Sequence, residues 1–265
     1  MEYLTPRSFT PNAHFHLKIE DAIDRALLPA AEAGTWNYYT APATLVSSAD
    51  GHPIRSIITG RKSCTTGVYA SLKAGRSLPY ESMNERAFFM HSEVDTSVVD
   101  YRAQPFRLEF LVDGMERAYI PDCVRLLNNG SLEVVEIKND RRAIRDPDYA
   151  LKIQTAKEIF QSVGWNYRIV YSHDLFEPPL RWQTIQDIQS WKTAQISQSE
   201  IFAVVSAITR NYYSLGQLSH LIGAEKILSI KLKAMSIRRI VSFDISGPLS
   251  HNTIITLIDD QREII

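Results

Sequence analysis

The chain has 265 residues, 45% of them hydrophobic and 22% charged, with a formal net charge of −1. This composition is typical of a folded globular protein. No apolar run approaches the roughly 18 residues that span a bilayer, and no charged region followed by an apolar one marks an export signal. We therefore expect a cytoplasmic protein without membrane spans. Two cysteines without C-x-x-C spacing predict neither a zinc site nor a disulfide framework.

Positive charge is concentrated in two segments. Residues 51–80 hold five basic side chains and no acidic one, and residues 201–240 hold six basic side chains and one acidic one. Such segregation is typical of nucleic-acid binding, although solvated surfaces carry similar charges. The residues that we predict to contact DNA are Arg61, Lys62, Lys73, Arg76, Lys231 and Lys233.

Helical periodicity predicts the first two helices. Residues 17–33 carry an apolar stripe, interrupted by Pro29 and closed by Gly34. Residues 35–75 are rich in Ser, Thr, Gly and Pro, and we predict one strand there, at 54–59. Helical signals return over residues 80–93. We assign no role to residues 1–50 and treat them as an N-terminal extension.

Glu85 lies on the apolar side of the second predicted helix, because Phe88 and Phe89 follow it by three and four residues. A carboxylate on an apolar face is costly unless it is paired. Glu85 therefore either meets a cation inside the protein or lies solvated at the edge of the stripe. Glu81, one turn earlier on the same side, is the rival candidate.

Alternating patterns predict three successive strands. The first covers residues 106–112 and ends at the hairpin turn Asp113-Gly114. The second covers 115–127, where Pro121 indicates an edge or a bulge. After the turn at 128–130 comes a third strand that ends near Lys138. A helix over 146–164 and a strand over 167–171 complete the order helix, three-strand meander, helix, strand.

The last two strands of this meander carry the candidate catalytic residues. Glu136 and Lys138 share one face of the third strand, because side chains alternate with a period of two. Antiparallel pairing can bring Asp122 beside Glu136. Neighbouring carboxylates repel unless a cation lies between them, and their oxygens suit Mg²⁺. This arrangement suits metal-dependent phosphodiester hydrolysis, although an ordinary ion pair on a solvated strand would look the same.

After residue 171 the composition changes. Residues 172–182 look like a linker, since Pro178 and Pro179 interrupt regular structure. Helices are predicted at 198–209, 214–221 and 225–234, and strands near 239–243 and 253–258. Three helices with a β-hairpin form the winged-helix pattern; the alternative is a small helical cap on the preceding domain. We thus predict a catalytic domain over 51–175 and a winged-helix-like domain over 176–265.

Four spaced segments carry a resemblance to a known family. They are E-S-M-N-E-R-A-F-F-M at 81–90, V-V-D-Y-R-A-Q-P-F at 98–106, Y-I-P-D-C at 119–123 and V-E-I-K at 135–138. Together they resemble the TnsA endonuclease subunit of heteromeric bacterial transposases, over roughly residues 60–171. The resemblance implies an α/β fold with a restriction-endonuclease-like core of the PD-(D/E)xK superfamily, a mixed sheet flanked by helices, followed by a winged helix.

The resemblance also implies an active site. It makes Glu85, rather than Glu81, the carboxylate from the helix, and it matches Asp122 and Lys138 to the family's aspartate and lysine. Glu136 stands where some members have glutamine. Glu85, Asp122, Glu136 and the backbone carbonyl of Ile137 would hold Mg²⁺, with Mn²⁺ as a substitute. The implied reaction is hydrolysis at the 5′ ends of a transposon during cut-and-paste transposition.

The implied partners are double-stranded DNA at the transposon ends, a DDE transposase subunit and an AAA+ ATPase regulator. Two other functions fit the same residues. A stand-alone restriction or repair nuclease would cut DNA without a partner. A non-catalytic DNA-binding adaptor would keep the carboxylates without using them, and the intact set of Asp122, Glu136 and Lys138 argues against it.

Overall fold

The computed structural model describes residues 18–24, 43–47, 52–54, 65–209 and 213–258. The chain divides into two compact units. The first contains Leu17–Glu93 and Ser97–Phe176, and the second contains Val94–Thr96 and Glu177–Ile265. Both units combine helices with strands, so the predicted α/β class is confirmed at this level. Within the described ranges, no helix has the length and apolarity that a membrane crossing requires.

The first unit contains nine strands and five helical segments among its described elements. In chain order the strands are β1 (Ala43–Ser47), β2 (Gly67–Ser71), β3 (Arg76–Tyr80), β4 (Val98–Ala103), β5 (Phe106–Val112), β6 (Met115–Tyr119), β7 (Cys123–Leu127), β8 (Leu132–Lys138) and β9 (Asn166–Tyr171). The helices are α1 (Met83–Val94), a 3₁₀ helix (Arg141–Ile144), α2 (Pro147–Ser162) and α3 (Ser172–Phe176). Residues 19–24 are also helical and precede them, within the predicted helix at 17–33.

The candidate site lies on a four-stranded sheet with the order β4-β7-β8-β9. β4, β7 and β8 pair antiparallel, and β9 pairs parallel to β8. A parallel neighbour needs a crossover, which α2 supplies. Asp146 caps the start of α2 by accepting from the backbone N–H of Tyr149, and Pro147 occupies its first turn, where proline is tolerated.

A second sheet has the order β1-β5-β6 and is antiparallel. β5 has the predicted bounds, and the predicted hairpin turn that follows it has positive φ at Asp113 and Gly114, 49° and 75°. β2 and β3 form a separate hairpin that the sequence did not predict. The prediction of a strand at 54–59 falls almost entirely outside the described residues.

The single strand predicted over 115–127 is wrong. The chain forms β6, leaves it at residue 120, and enters the other sheet as β7. Pro121 stands in this gap, where its missing N–H interrupts the ladder. The meander that carries the site consequently begins with β4, which was not predicted, instead of β5.

Aromatic side chains fill the core of the first unit. Phe106, Phe160 and Trp165 pack with ring centroids 5.7–5.8 Å apart. Phe88 and Phe89 of α1 are fully buried, as the apolar stripe on that helix predicts. α2 buries Ile153, Ala156 and Phe160, which confirms its helical period.

The second unit contains helices α4 (Pro179–Ser190), α5 (Gln198–Ile208), α6 (Leu215–Ile222) and α7 (Glu225–Ile237), and strands β10 (Tyr213–Ser214), β11 (Val241–Ser242) and β12 (Ile254–Leu257). The strands pair antiparallel in the order β10-β12-β11. The last three helices match their predictions. The predicted linker at 172–182 is wrong, because α3 and the start of α4 occupy it and Pro179 begins a helix, where proline is tolerated.

Candidate active site

Asp122 immediately precedes β7 and lies opposite Glu136 of β8. The ladder pairs Cys123 with Val135 and Val124 with Val134, so the same register places Asp122 across from Glu136. The backbone N–H of Ile137 donates to Oδ2 of Asp122 at 2.7 Å. The side chain of Asp122 thus accepts a hydrogen bond from β8 at the point where the ladder between β7 and β8 ends.

The pKa of Asp122 is raised well above the ordinary value of an aspartate. Burial is the largest cause, and the negative charges of Glu136 and Glu85 add to it. The N–H of Ile137 and the charge of Lys138 act in the opposite direction but do not cancel the rise. Asp122 is therefore subject to the negative charge of both other predicted carboxylates.

Glu136 is 3% exposed, and its carboxylate contacts donors from β6, from α2 and from its own strand. The hydroxyl of Tyr119 donates to Oε2 at 2.6 Å, and that of Tyr149 donates to Oε1 at 2.7 Å. Lys138 lies 2.5 Å from Oε1. A buried carboxylate requires such partners, and these three satisfy both of its oxygens.

Lys138 is the third member of the site. Burial by itself would lower the pKa of its ammonium, but the charge and hydrogen bond of Glu136 raise that pKa above its ordinary value. Its Nζ also lies 5.2 Å from the centre of the Tyr149 ring, a cation–π contact. The lysine is therefore held as a cation beside the two carboxylates.

Three tyrosines of this site were missed in the sequence. Tyr119 on β6, Tyr149 on α2 and Tyr167 on β9 surround Glu136, and the hydroxyls of Tyr119 and Tyr167 lie 3.1 Å apart. Burial and the nearby Glu136 raise their pKa values, that of Tyr149 to about 12. All three stay neutral and can donate. Only Tyr149 offered a sequence signal. It lies in the first turn of the helix that connects β8, the strand of Glu136, to its parallel neighbour β9.

Glu85 is buried, and neither alternative from the sequence describes it fully. Its Oε2 accepts from the backbone N–H of Glu81 at 2.8 Å, and its Oε1 accepts from the hydroxyl of Ser82 at 3.0 Å. The Ser82 hydroxyl in turn accepts from the N–H of Glu85. Such reciprocal bonds cap a helix. Glu85 therefore stabilises the start of α1 while it contributes negative charge near Asp122.

The donor chemistry of this site fits a hard divalent cation, because carboxylate oxygens gather there: burial raises the pKa of Asp122, and the negative charges of Glu136 and Glu85 raise it further. In this structure, however, the carboxylates are not arranged around a metal position. In the described part of the chain, no three His, Cys, Asp or Glu side chains are grouped so that they could hold a metal ion. The proposed ligands Glu85 and Glu136 are each bonded to protein donors. The metal ligand set remains a prediction.

The predicted DNA contacts fall into three groups. Arg61 and Lys62 lie outside the described residues. Lys73 and Arg76 lie on the β2–β3 hairpin, both partly exposed, and Nζ of Lys73 donates to the carbonyl of Ser92 at 3.0 Å. Lys231 and Lys233 of α7 form ion pairs with Glu200 and Asp187, at 3.4 and 2.7 Å. These two lysines therefore have structural partners, and their contact with DNA remains a prediction.

Residues 95–172 match the family described as TnsA-like endonuclease N terminal. No curated protein matches the chain. The matched segment begins before β4 and reaches the start of α3, so it contains Asp122, Glu136, Lys138 and the tyrosines around them. It leaves out Glu85 and, apart from residues 95 and 96, the second unit.

Proposed function

We propose that this chain, whose residues 95–172 belong to the TnsA-like endonuclease family, is the Mg²⁺-dependent endonuclease subunit of a heteromeric transposase. Its first unit forms a restriction-endonuclease-like core. Its substrate is double-stranded DNA, in which it hydrolyses phosphodiester bonds at the 5′ ends of a transposon. One observation carries the proposal: in the matched segment, Asp122 has a raised pKa beside Glu136 and Lys138 at the adjoining ends of β7 and β8.

Asp122 and Glu136, with the carbonyl of Ile137 and the carboxylate of Glu85, are the proposed ligands of Mg²⁺. When bound, the ion supplies Lewis acidity to the scissile phosphate and acidifies a water. Asp122 keeps its place through the N–H of Ile137. Lys138, held as a cation, braces the phosphate or orients the attacking water, and its charge offsets the negative charge that develops during hydrolysis.

The second unit supports a role in assembly. Its helices α5, α6 and α7, followed by β11 and β12, occur in the order of a winged helix. We assign to it contacts with DNA or with a DDE transposase and an AAA+ ATPase. Partners then supply most of the choice of DNA sequence, because the chain carries no evident base-reading motif.

Cleavage by the purified chain, with Mg²⁺ and its partner transposase, tests the proposal. Asp122→Asn and Lys138→Ala should abolish strand cleavage while DNA binding and folding persist. Asp113→Asn is the matched control, because it makes the same change at an exposed hairpin turn in the same segment. Cleavage at the wild-type rate by the Asp122 and Lys138 variants would overturn the assignment. Nicking of plasmid DNA by the chain alone would instead favour a stand-alone nuclease.

A further inference from the structure

A cationic turn, defined as residues 139–146, joins β8 to α2. It follows Lys138 directly and ends three residues before Tyr149, and both of these side chains contact Oε1 of Glu136. The turn is therefore anchored to the candidate site at both ends. It contains Arg141, Arg142 and Arg145, all of them exposed, and its 3₁₀ helix has no buried residue.

The three arginines differ from others in the same unit. Arginines that pair with a carboxylate there are Arg102, Arg107, Arg117, Arg125 and Arg168. Within the described ranges, Arg141, Arg142 and Arg145 form no ion pair. Arg141 instead lies over the ring of Tyr171, with its guanidinium carbon 5.9 Å from the ring centre. Their charges remain available to an external anion.

The acidic residues of this turn have other roles. Asp140 caps the 3₁₀ helix by accepting from the N–H of Arg142 at 2.7 Å, and Asp146 caps α2 by accepting from the N–H of Tyr149 at 2.8 Å. The N–H of Arg145 donates to the carbonyl of Arg142. These bonds hold the backbone of the turn in place, so less order must be imposed on it when a ligand binds.

The geometry of the turn suits a linear array of anions. Side chains three residues apart eclipse in a 3₁₀ helix, and Arg145, the C-cap with helical dihedral angles (φ −79°, ψ −24°), continues this geometry from Arg142. Guanidinium groups bind phosphate oxygens through two parallel hydrogen bonds. At a rise of about 2 Å per residue, the four residues of the 3₁₀ helix span about 8 Å. Phosphates of one DNA strand advance about 3.4 Å per nucleotide, so this length corresponds to about two nucleotides of backbone.

We infer that the cationic turn is a docking surface for the phosphodiester backbone of duplex DNA, and that it positions the strand next to Lys138. This inference rests on the proposed function, since it names the surface that would present DNA to the same site. Arg142 and Arg145 bind phosphates. Arg141, which lies over the ring of Tyr171, adds positive charge beside these two arginines. The alternative occupant of this surface is an acidic protein partner, and the competition with polyglutamate described below tests that alternative.

Fluorescence anisotropy with a labelled duplex of random sequence, in EDTA, measures this docking without cleavage. The full chain carrying Arg142→Gln and Arg145→Gln should bind about tenfold more weakly at low salt, and its salt slope should fall by about two, because each lost phosphate contact contributes about 0.9. Arg168→Gln with Arg181→Gln is the control, since both side chains are exposed outside the turn. Circular dichroism checks that every variant is folded.

Unchanged DNA affinity and salt slope in the turn variant would overturn the inference, as would an equal loss in the control. The restoration of affinity by Arg142→Lys with Arg145→Lys would support an electrostatic contact. Polyglutamate that displaces duplex DNA from the wild type at equal charge concentration would favour an acidic protein and overturn the assignment to DNA. Loss of cleavage in Asp122→Asn is a separate readout, so failure of the docking surface and failure of the nuclease assignment are distinguishable.

Discussion

The hydroxyl of Tyr119 donates a 2.6 Å hydrogen bond to Oε2 of Glu136, although the two residues lie on strands of different sheets. Tyr149 reaches the other oxygen of the same carboxylate from α2. Glu136 thereby connects β6, β8 and α2 in addition to its proposed role at the metal. Its orientation depends on side chains that no local sequence pattern around E-x-K contains.

Removing the hydroxyl of Tyr119 should destabilise the protein more than removing that of Tyr149. Tyr119 is 3% exposed, so Tyr119→Phe leaves an oxygen of a buried carboxylate without its donor, at about 1.5–3 kcal/mol. Tyr149 is half-buried, and water can replace its hydroxyl in Tyr149→Phe at a smaller cost. Urea unfolding measures both free energies. A larger loss in Tyr149→Phe would contradict this ranking.

Asp122→Asn should stabilise the metal-free protein, and increasingly so as the pH rises. The folded-state pKa of Asp122 lies above the ordinary 3.8, so between these two values the folded state holds more protons than the unfolded state. The stability contributed by Asp122 is therefore lost as the pH rises through the raised pKa. Asparagine cannot ionise and can still accept from Ile137. Each unit of raised pKa corresponds to about 1.4 kcal/mol.

The difference is measured from the free energies of unfolding of Asp122→Asn and wild type. Both are determined in EDTA at several pH values from acid to neutral. Asp113→Asn controls for the amide substitution at an exposed site and should show no such trend. A stability difference that is constant with pH, or that favours the wild type at neutral pH, would contradict the raised pKa of Asp122.

The main role of Lys233 of α7 should be to stabilise the second unit. It is buried, and its Nζ lies 2.7 Å from the carboxylate of Asp187 on α4. Lys233→Asp places two carboxylates together and should cost about 1–3 kcal/mol, since Asp187 is itself partly exposed. Thermal unfolding measures the loss. The swap Asp187→Lys with Lys233→Asp should recover part of it, and no recovery would show that the ion pair contributes little.

Glu93 should hold the β2–β3 hairpin in place. It is fully buried, and it accepts at 2.7 Å each from the Ser71 hydroxyl, the N–H of Leu72 and the Tyr101 hydroxyl. Glu93→Gln replaces an acceptor by an NH₂ group that faces donors, which should cost about 2–4 kcal/mol. Hydrogen exchange at residues 71–73 should accelerate.

Glu116→Gln, an exposed change on β6, is the control for Glu93→Gln. Equal protection of residues 71–73 in the two variants would refute an anchoring role for Glu93. Because Lys73 and Arg76 lie on the same hairpin, a loosened hairpin should also weaken DNA binding if these residues contact phosphates.

Local patterns predicted most single elements and one pairing. The period of α2, the bounds of β5, its hairpin turn and the three final helices follow from spacing and turn residues, because these depend on neighbours within a few positions. The opposition of Asp122 and Glu136 follows from the short turn at 128–130, which leaves little freedom of register. The break at Pro121 was visible, but its consequence, a change of sheet, was not.

The sequence alone determined which groups stand near each other along the strands: the aspartate, the glutamate and the lysine across one short turn. Only the tertiary structure decided their chemical environment. The rise in the pKa of Asp122 and the engagement of Glu136 by Tyr119 and Tyr149 depend on contacts between residues far apart in the chain. Burial and long-range hydrogen bonding set the energy of a charge, and neither has a local signature in the sequence.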